Sequence, residues 1–166
     1  MKKFLIVCAI LFIAGVGCKK MDYDGSNPCG CSPIEPPGLN LVIKNTAGDD
    51  LLNEKTVGAY AKDNIQLFIK EVNGKETPIN FNIRPSSAFG DEKFNFNLLS
   101  SWGFYFLPKQ ANKTVYLKLG DSEPYELLLD LSKPAEASLL INKKAAEREK
   151  SGVGRSLPIF YLIESN

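Results

Sequence analysis

The chain reads as all-β: an antiparallel β-sandwich, immunoglobulin-like or transthyretin-like, of about 8–9 strands. Three observations predict it. From residue 39 onward apolar residues recur with a period of two, the runs are short, and turn-forming residues separate them. Strict alternation packs one face of a strand and solvates the other, the pattern of antiparallel sheets.

The elements follow in order. Leu39, Leu41 and Ile43 open the series, and Ile65, Leu67 and Ile69 form the second run. Asn73-Gly74 then has the composition of a type I′ hairpin turn, whose central residues need positive φ. Ile79, Phe81 and Ile83 are expected to be buried, with Asn80, Asn82 and Arg84 exposed opposite them. Phe94, Phe96 and Leu98 repeat the pattern against Lys93, Asn95 and Asn97. Phe104 and Phe106 read as another strand, which would turn Tyr105 outward. Val115, Leu117 and Leu119 lead through Gly120-Asp121-Ser122 into Tyr125, Leu127, Leu129 and Leu131. Leu139–Ile141 and Ile159–Ile163 are shorter runs. Between them, Lys143–Lys150 has the composition of a short helix after a cap at Asn142. Only Ala145 and Ala146 in it are apolar, so a helix is possible but the expectation is a solvated connection between two late strands, with a partner-binding protrusion as the alternative. The Cys…Trp…Cys pattern of true immunoglobulin domains is absent, and no internal repeat is visible.

The N-terminus carries an address. Lys2 and Lys3 precede an apolar run, Phe4–Val16, of 13 residues. A membrane-spanning helix needs about 20. The run has the length of a signal-peptide core, and Gly15 and Gly17 are small, as cleavage requires. Val16-Gly17-Cys18 resembles a bacterial lipobox, with Gly15 where leucine is usual. The expectation is cleavage before Cys18 and lipidation of Cys18 with palmitate-type acyl chains. Each buried methylene contributes about 0.8 kcal/mol, and two or three chains anchor stably where one does not. The organisation is then 1–17 signal peptide, 18–38 lipidated cysteine with linker, and 39–166 β-sandwich domain.

Composition narrows the function. Removing residues 1–17 leaves 149 of 166 residues, with 18 basic side chains against 19 acidic ones. That balance points away from nucleic acid, which would call for a basic patch or stripe. The chain contains no histidine. Ser-His-Asp and Cys-His catalysis in their usual forms and histidine metal sites are thereby excluded, so no catalytic activity and no metal or other cofactor is expected.

The linker, KKMDYDGSNPCGCSPIEPPG, holds four prolines and three glycines and reads as an irregular spacer of 20 residues. Cys29 and Cys31 are a candidate disulfide or an inert pair; intermolecular cross-linking and redox or metal chemistry are the alternatives. Zinc normally needs four ligands, and no other Cys or His lies nearby.

Gly48, Asp50, Leu51, Leu52 and Asn53, with Thr56, Gly58 and Tyr60 just after, carry a resemblance. With the preceding lipobox, the Pro-rich spacer and the strand at Asn64–Val72, they resemble a domain of uncharacterised lipoproteins of Bacteroidota. The likeness covers residues 39–85 and, more loosely, Thr114–Leu119. It implies lipidation and a β-sandwich, and it implies no activity.

Three constellations remain. Asp49, Asp50, Asn53 and Glu54 crowd oxygen-bearing side chains, but without D-x-D-x-D-G spacing they read as turn residues rather than calcium ligands. Phe68, Trp102, Tyr105 and Tyr116 fall on outer faces and form a candidate partner surface; cross-strand bracing is the competing role. Asp91-Glu92 and Asp121 with Glu123 sit beside turns, and nothing marks a glycosidase carboxylate pair. The expectation is a membrane-anchored cell-envelope lipoprotein, on the outer membrane, serving as a non-catalytic binding or accessory module for a glycan or an envelope protein. A structural subunit of a surface assembly is the alternative, with Leu157–Ile163 as candidate donor strand. A hydrolase is the weaker alternative.

Overall fold

The computed structural model describes residues 38–71, 73–89, 92–106, 114–133, 136–152 and 157–164; of residues 87–89, 92, 105 and 106 it describes the backbone alone. All of them belong to one compact unit, Pro36–Asn166. The predicted β-sandwich is present, built from more and shorter strands than the sequence suggests.

The strands are β1 (Leu39–Asn45), β2 (Ile65–Lys70), β3 (Glu76–Pro78), β4 (Asn82–Arg84), β5 (Ser87–Phe89), β6 (Glu92–Phe94) and β7 (Leu98–Ser101). After a helical turn, α1 (Gly103–Phe106), come β8 (Val115–Leu119), β9 (Tyr125–Asp130), β10 (Ser138–Ile141), β11 (Lys144–Ala145), β12 (Glu147–Arg148) and β13 (Phe160–Glu164). One sheet has the order β12-β13-β1-β7-β4 and the other β11-β10-β9-β8-β2-β3, while β5 and β6 form a separate ribbon. Pairing is antiparallel except where β1 runs parallel to β13, Leu41 opposite Phe160 and Ile43 opposite Leu162.

Alternation decides what meets between the sheets. Leu39, Leu41, Ile43, Leu99, Phe160 and Leu162 from one sheet meet Ile65, Leu67, Ile69, Val115, Leu117, Leu119, Leu127 and Leu139 from the other. The first sheet departs from the one-sided expectation. On the outer face of β1, Val42 packs with Phe94, Leu98 and Ile159 in a second apolar cluster, flanked by Phe96, Leu157 and Tyr161. The period-two residues Phe94, Phe96 and Leu98 serve this outer cluster, not the space between the sheets. They do not form one strand either, because the chain breaks between β6 and β7 at residues 95–97.

Both corners of the sandwich are made by chain that passes from one sheet to the other, a device that joins and covers sheet edges. At one corner β3 ends at Pro78 and β4 begins at Asn82; the Ile79 N–H still donates to the Leu67 carbonyl at 2.7 Å. The run Ile79–Ile83 is therefore a bend and not a continuous strand, and Phe81 and Ile83 are half-buried. At the other corner β11 and β12 are separated by Ala146 alone, whose N–H donates to the Leu139 carbonyl at 2.8 Å. Residues 143–150 are thus a connection between late strands, as expected, and the short helix that was possible there does not form. Asn142 is no cap: with φ of 48° at Asn142 and 67° at Lys143, the pair forms a two-residue hairpin turn between β10 and β11. Asn142 Oδ1 accepts the Glu126 N–H at 2.8 Å, which helps hold that backbone. Asn tolerates positive φ, but a lysine after it gives no hairpin signal.

The other turns fall where composition places them. Gly74 has φ of 82° in the β2–β3 hairpin, whose closing bond runs from Glu71 N–H to Lys75 O, so the loop holds three residues and not two. Gly120 turns β8 into β9, and Ser122 Oγ donates to the Leu119 carbonyl. Phe104 lies in α1, not in a strand, and packs against the main core.

The C-terminal strand is internal. β13 lies between β12 and β1 with Phe160, Leu162 and Glu164 buried. Of the segment Leu157–Ile163, residues 160–163 pair with β1 and residues 160 and 161 also with β12, within their own sheet.

Candidate ligand-binding cleft

The corner between β3 and β4 creates the most distinctive surface of the described residues. Pro78 has no N–H to continue a ladder, and residues 79–81 bend across the open edge of the sandwich. Ser101 Oγ pins this bend by donating to the Asn80 carbonyl at 2.7 Å while accepting the Gly103 N–H at 3.2 Å. Gly103 permits the close approach: a Cβ there would lie 2.3 Å from Ile79 Cγ2.

The result is a shallow cleft of about 690 Å³, flanked by two hollows of about 490 Å³ each. Lys62, from the short 3₁₀ turn Lys62–Asn64 before β2, lines all three. In the central cleft Trp102 is 44% exposed, and the Arg84 guanidinium carbon lies 5.6 Å from its ring centroid. Lys62 Nζ stands 5.9 Å from the Phe81 ring and 3.5 Å from Asn82 Oδ1. Asn80 and Asn82 are exposed beside them. Two aromatic rings, two amides and two cations thus share one surface held by a pinned backbone.

The sequence alone points to only part of this. It marks Trp102 but presents Asn80, Asn82 and Arg84 as the solvated side of a strand, assigns Phe81 to the core, and gives no sign of Lys62. The usable signal is a proline heading an alternating run that ends in exposed amides and a cation.

The other aromatic residues are placed differently. Phe68 and Tyr116 face each other across β2 and β8 with centroids 5.5 Å apart and rings 18° from parallel. They lie on the outer face of the second sheet, but Phe68 is only 4% exposed, wedged between Tyr116 and its other cross-strand neighbour, Pro78. Lys70 Nζ lies 4.9 Å from the Tyr116 ring. This is a brace of the cross-strand kind, although Phe68 also lines one flanking hollow. Tyr105 belongs to α1 and not to a strand, and its side chain is outside the described part. Cys18, Cys29 and Cys31 lie outside the described residues.

The acidic turn is occupied by its own chain. Asp50 Oδ1 accepts the Leu52 N–H at 2.9 Å, and Oδ2 accepts the Asn97 N–H at 2.7 Å. The Asn97 amide returns a bond to the Leu52 carbonyl at 2.9 Å. Asp49 bonds the Asn45 side chain, and Asn53 Oδ1 accepts the Lys55 N–H. These oxygens close turns, and among the described residues no three Asp, Glu, Cys or His side chains gather as a metal site.

Two tyrosine–carboxylate pairs tie down the late strands. Tyr60 donates to Glu164 Oε2 at 2.6 Å and Tyr161 donates to Glu149, while burial and the charge of Glu164 also push the Tyr125 hydroxyl up. Burial first, and the carboxylate partner second, push the Tyr60 and Tyr161 hydroxyls well above their ordinary value of 10.0. The bond from Tyr161 holds Glu149 below the usual carboxylate range. An unfolded chain loses its tyrosine protons near pH 10 while the folded one keeps them. The tyrosine contribution is therefore complete below pH 10 and lost as pH rises beyond it. The Glu149 contribution runs the other way and is lost in acid. Tyr60→Phe with Tyr161→Phe should flatten the fall of the urea midpoint above pH 10. An alkaline limb as steep as the parent's would rule out these pairs as its cause.

Comparison with known proteins gives no match: no family model, curated protein or solved structure is significantly similar to this chain. The functional reading therefore rests on the geometry. Among the described residues no helix is long and apolar enough to cross a membrane.

Proposed function

We propose that this protein is a lipid-anchored cell-envelope binding module that holds an oligosaccharide, without chemistry, in the cleft at the β3–β4 corner. The observation that carries the reading is Trp102, half-exposed beside Arg84 and flanked by the amides of Asn80 and Asn82. A sugar ring offers an apolar C–H face and a rim of hydroxyls. An exposed indole fits the face, and amides both donate to and accept from the rim. Ligand sites combine such apolar surface with a few fixed polar groups. The linked hollows along Lys62 suit an extended chain rather than a single compact molecule.

Binding without turnover is the better reading of this cleft. Glycoside hydrolysis uses two carboxylates flanking the scissile bond, whereas the described lining of the central cleft carries none. The anchor is the sequence's contribution, through Gly17-Cys18 at the end of a short apolar run, and the outer membrane is the expected site. The resemblance to Bacteroidota lipoproteins belongs to the same proposal.

One set of measurements tests both halves. Cells fed a labelled fatty acid should incorporate label into the chain and lose it with Cys18→Ala. Trp102→Ala should abolish oligosaccharide binding on a glycan array while shifting the melting temperature by no more than about 2 °C, as an exposed substitution does. No label in the parent would overturn the anchor. Undiminished glycan signal in Trp102→Ala would overturn the cleft.

A further inference from the structure

We infer, resting on that glycan reading, that the buried hydroxyl of Ser101 is a positioning group for the sugar. It holds the indole of Trp102 and the amides of Asn80 and Asn82 in one arrangement without touching the ligand itself. Ser101 is 2% exposed and does not line the cleft, although Ser100, Trp102 and Gly103 around it do. Its influence on binding therefore passes through its neighbours.

The reason lies in how the two ladders of β7 end. On one side Ser101 pairs with Leu39 of β1. On the other, the ladder to β4 stops one residue earlier, at Ser100 opposite Asn82. The same antiparallel register, if continued, would set Phe81 opposite Ser101 and Asn80 opposite Trp102, but β4 begins only at Asn82. The Ser101 side chain takes over where the ladder stops. It donates to the Asn80 carbonyl at 2.7 Å and accepts the Gly103 N–H at 3.2 Å. One hydroxyl thus joins the arm that carries Trp102 to the arm that carries Asn80 and Asn82. Packing on both sides is close. A Cβ at Gly38 would lie 2.3 Å from the Ser101 carbonyl oxygen, and one at Gly103 the same distance from Ile79 Cγ2. Removing the hydroxyl would strand the Asn80 carbonyl and the Gly103 N–H together, and the bend at 79–81 would have to move for them to find water. A sugar that stacks on the indole while bonding the amides needs a fixed spacing between the two arms. A site whose supporting contacts loosen loses that preorganisation and with it affinity.

Trp102 is the single tryptophan of the chain, so its fluorescence reports on this cleft alone. The test uses the full chain in detergent with two probes, a cello-oligosaccharide and a chito-oligosaccharide. Ser101→Ala, folded by circular dichroism, should bind whichever probe the parent binds about five- to tenfold more weakly, the scale of one hydrogen bond. Its Trp102 emission should move to longer wavelength and be quenched more readily by acrylamide. Ser101→Thr, which keeps the hydroxyl, should restore both readings. Gly103→Ala displaces Ile79 with the hydroxyl intact; it should repeat the result of Ser101→Ala and takes its place if that variant does not fold. Leu139→Val, a core change outside the cleft lining, should lower the melting temperature and leave emission and affinity alone, which separates positioning from a general loss of stability. Parent-like affinity in Ser101→Ala, no rescue by threonine, or the same changes in Leu139→Val would overturn the positioning role and leave the glycan reading standing. A parent chain that binds neither probe would overturn the glycan reading and this role with it.

Discussion

Replacing Phe160 with alanine is expected to lower stability by about 3–5 kcal/mol, the cost of deleting a buried aromatic and leaving a cavity. Phe160 is 1% exposed and belongs to β13, which is hydrogen-bonded on both sides. Its ring joins the core between the two sheets, opposite Leu41 on the neighbouring strand. Three residues along the same strand, Ile163 is 52% exposed and points to the other face. Ile163→Ala should therefore change stability by less than about 0.5 kcal/mol. Urea denaturation of the two variants reads out the register of β13 directly. A one-residue slip would exchange the faces, and comparable losses from both substitutions would show that this strand is wrongly placed.

Asp50→Ala should cost about 3 kcal/mol, a large effect for a residue in a surface turn. Asp50 is 8% exposed, and its carboxylate accepts two backbone N–H groups, from Leu52 and Asn97, that come from turns far apart in the chain. Hydrogen bonds to a charged group contribute about 1.5–3 kcal/mol each, and a stranded buried donor adds a penalty of about 1–3 kcal/mol. Asp50→Asn keeps the shape and one good acceptor, so its loss should be intermediate. Asp49→Ala, whose bond to the Asn45 amide is exposed, should stay within about 1 kcal/mol. An equal, small loss at both positions would refute the view that Asp50 fastens the turn to residue 97. Phe81, which alternation alone assigns to the core, is half-buried in the cleft wall. Its truncation should accordingly be smaller in stability than that of Phe160.

Period-two patterning made the fold class legible because it reflects a local fact: successive side chains on a strand point to opposite faces. A run such as Val115, Leu117 and Leu119 needs only its own residues to declare a buried face. Glycine turns at residues 74 and 120 were legible for the same reason, because positive φ is a property of one residue. The absence of histidine and the charge balance are likewise matters of composition, and the expectation of a leader ending before Cys18 is a matter of order.

Only the tertiary structure decided what came to lie beside what. The pairing of β1 with β13 joins opposite ends of the domain, and no local signal encodes a partner so distant. It also helps explain why Val42 is buried on the outer face of this sheet, where Phe94, Leu98 and Ile159 pack against it. The segment 143–150 illustrates the same limit. Its helix-forming composition yields to β11 and β12, because marginal helical propensity is weaker than the ladder bonds and the packing that a sheet corner provides. The cleft is the clearest case. Lys62, Asn82 and Trp102 stand about twenty residues apart in sequence, each unremarkable alone, and become one surface where β3 bends into β4. Sequence reports what a residue prefers, whereas a binding surface is a sum over residues that only the closing of the two sheets brings within reach of one another.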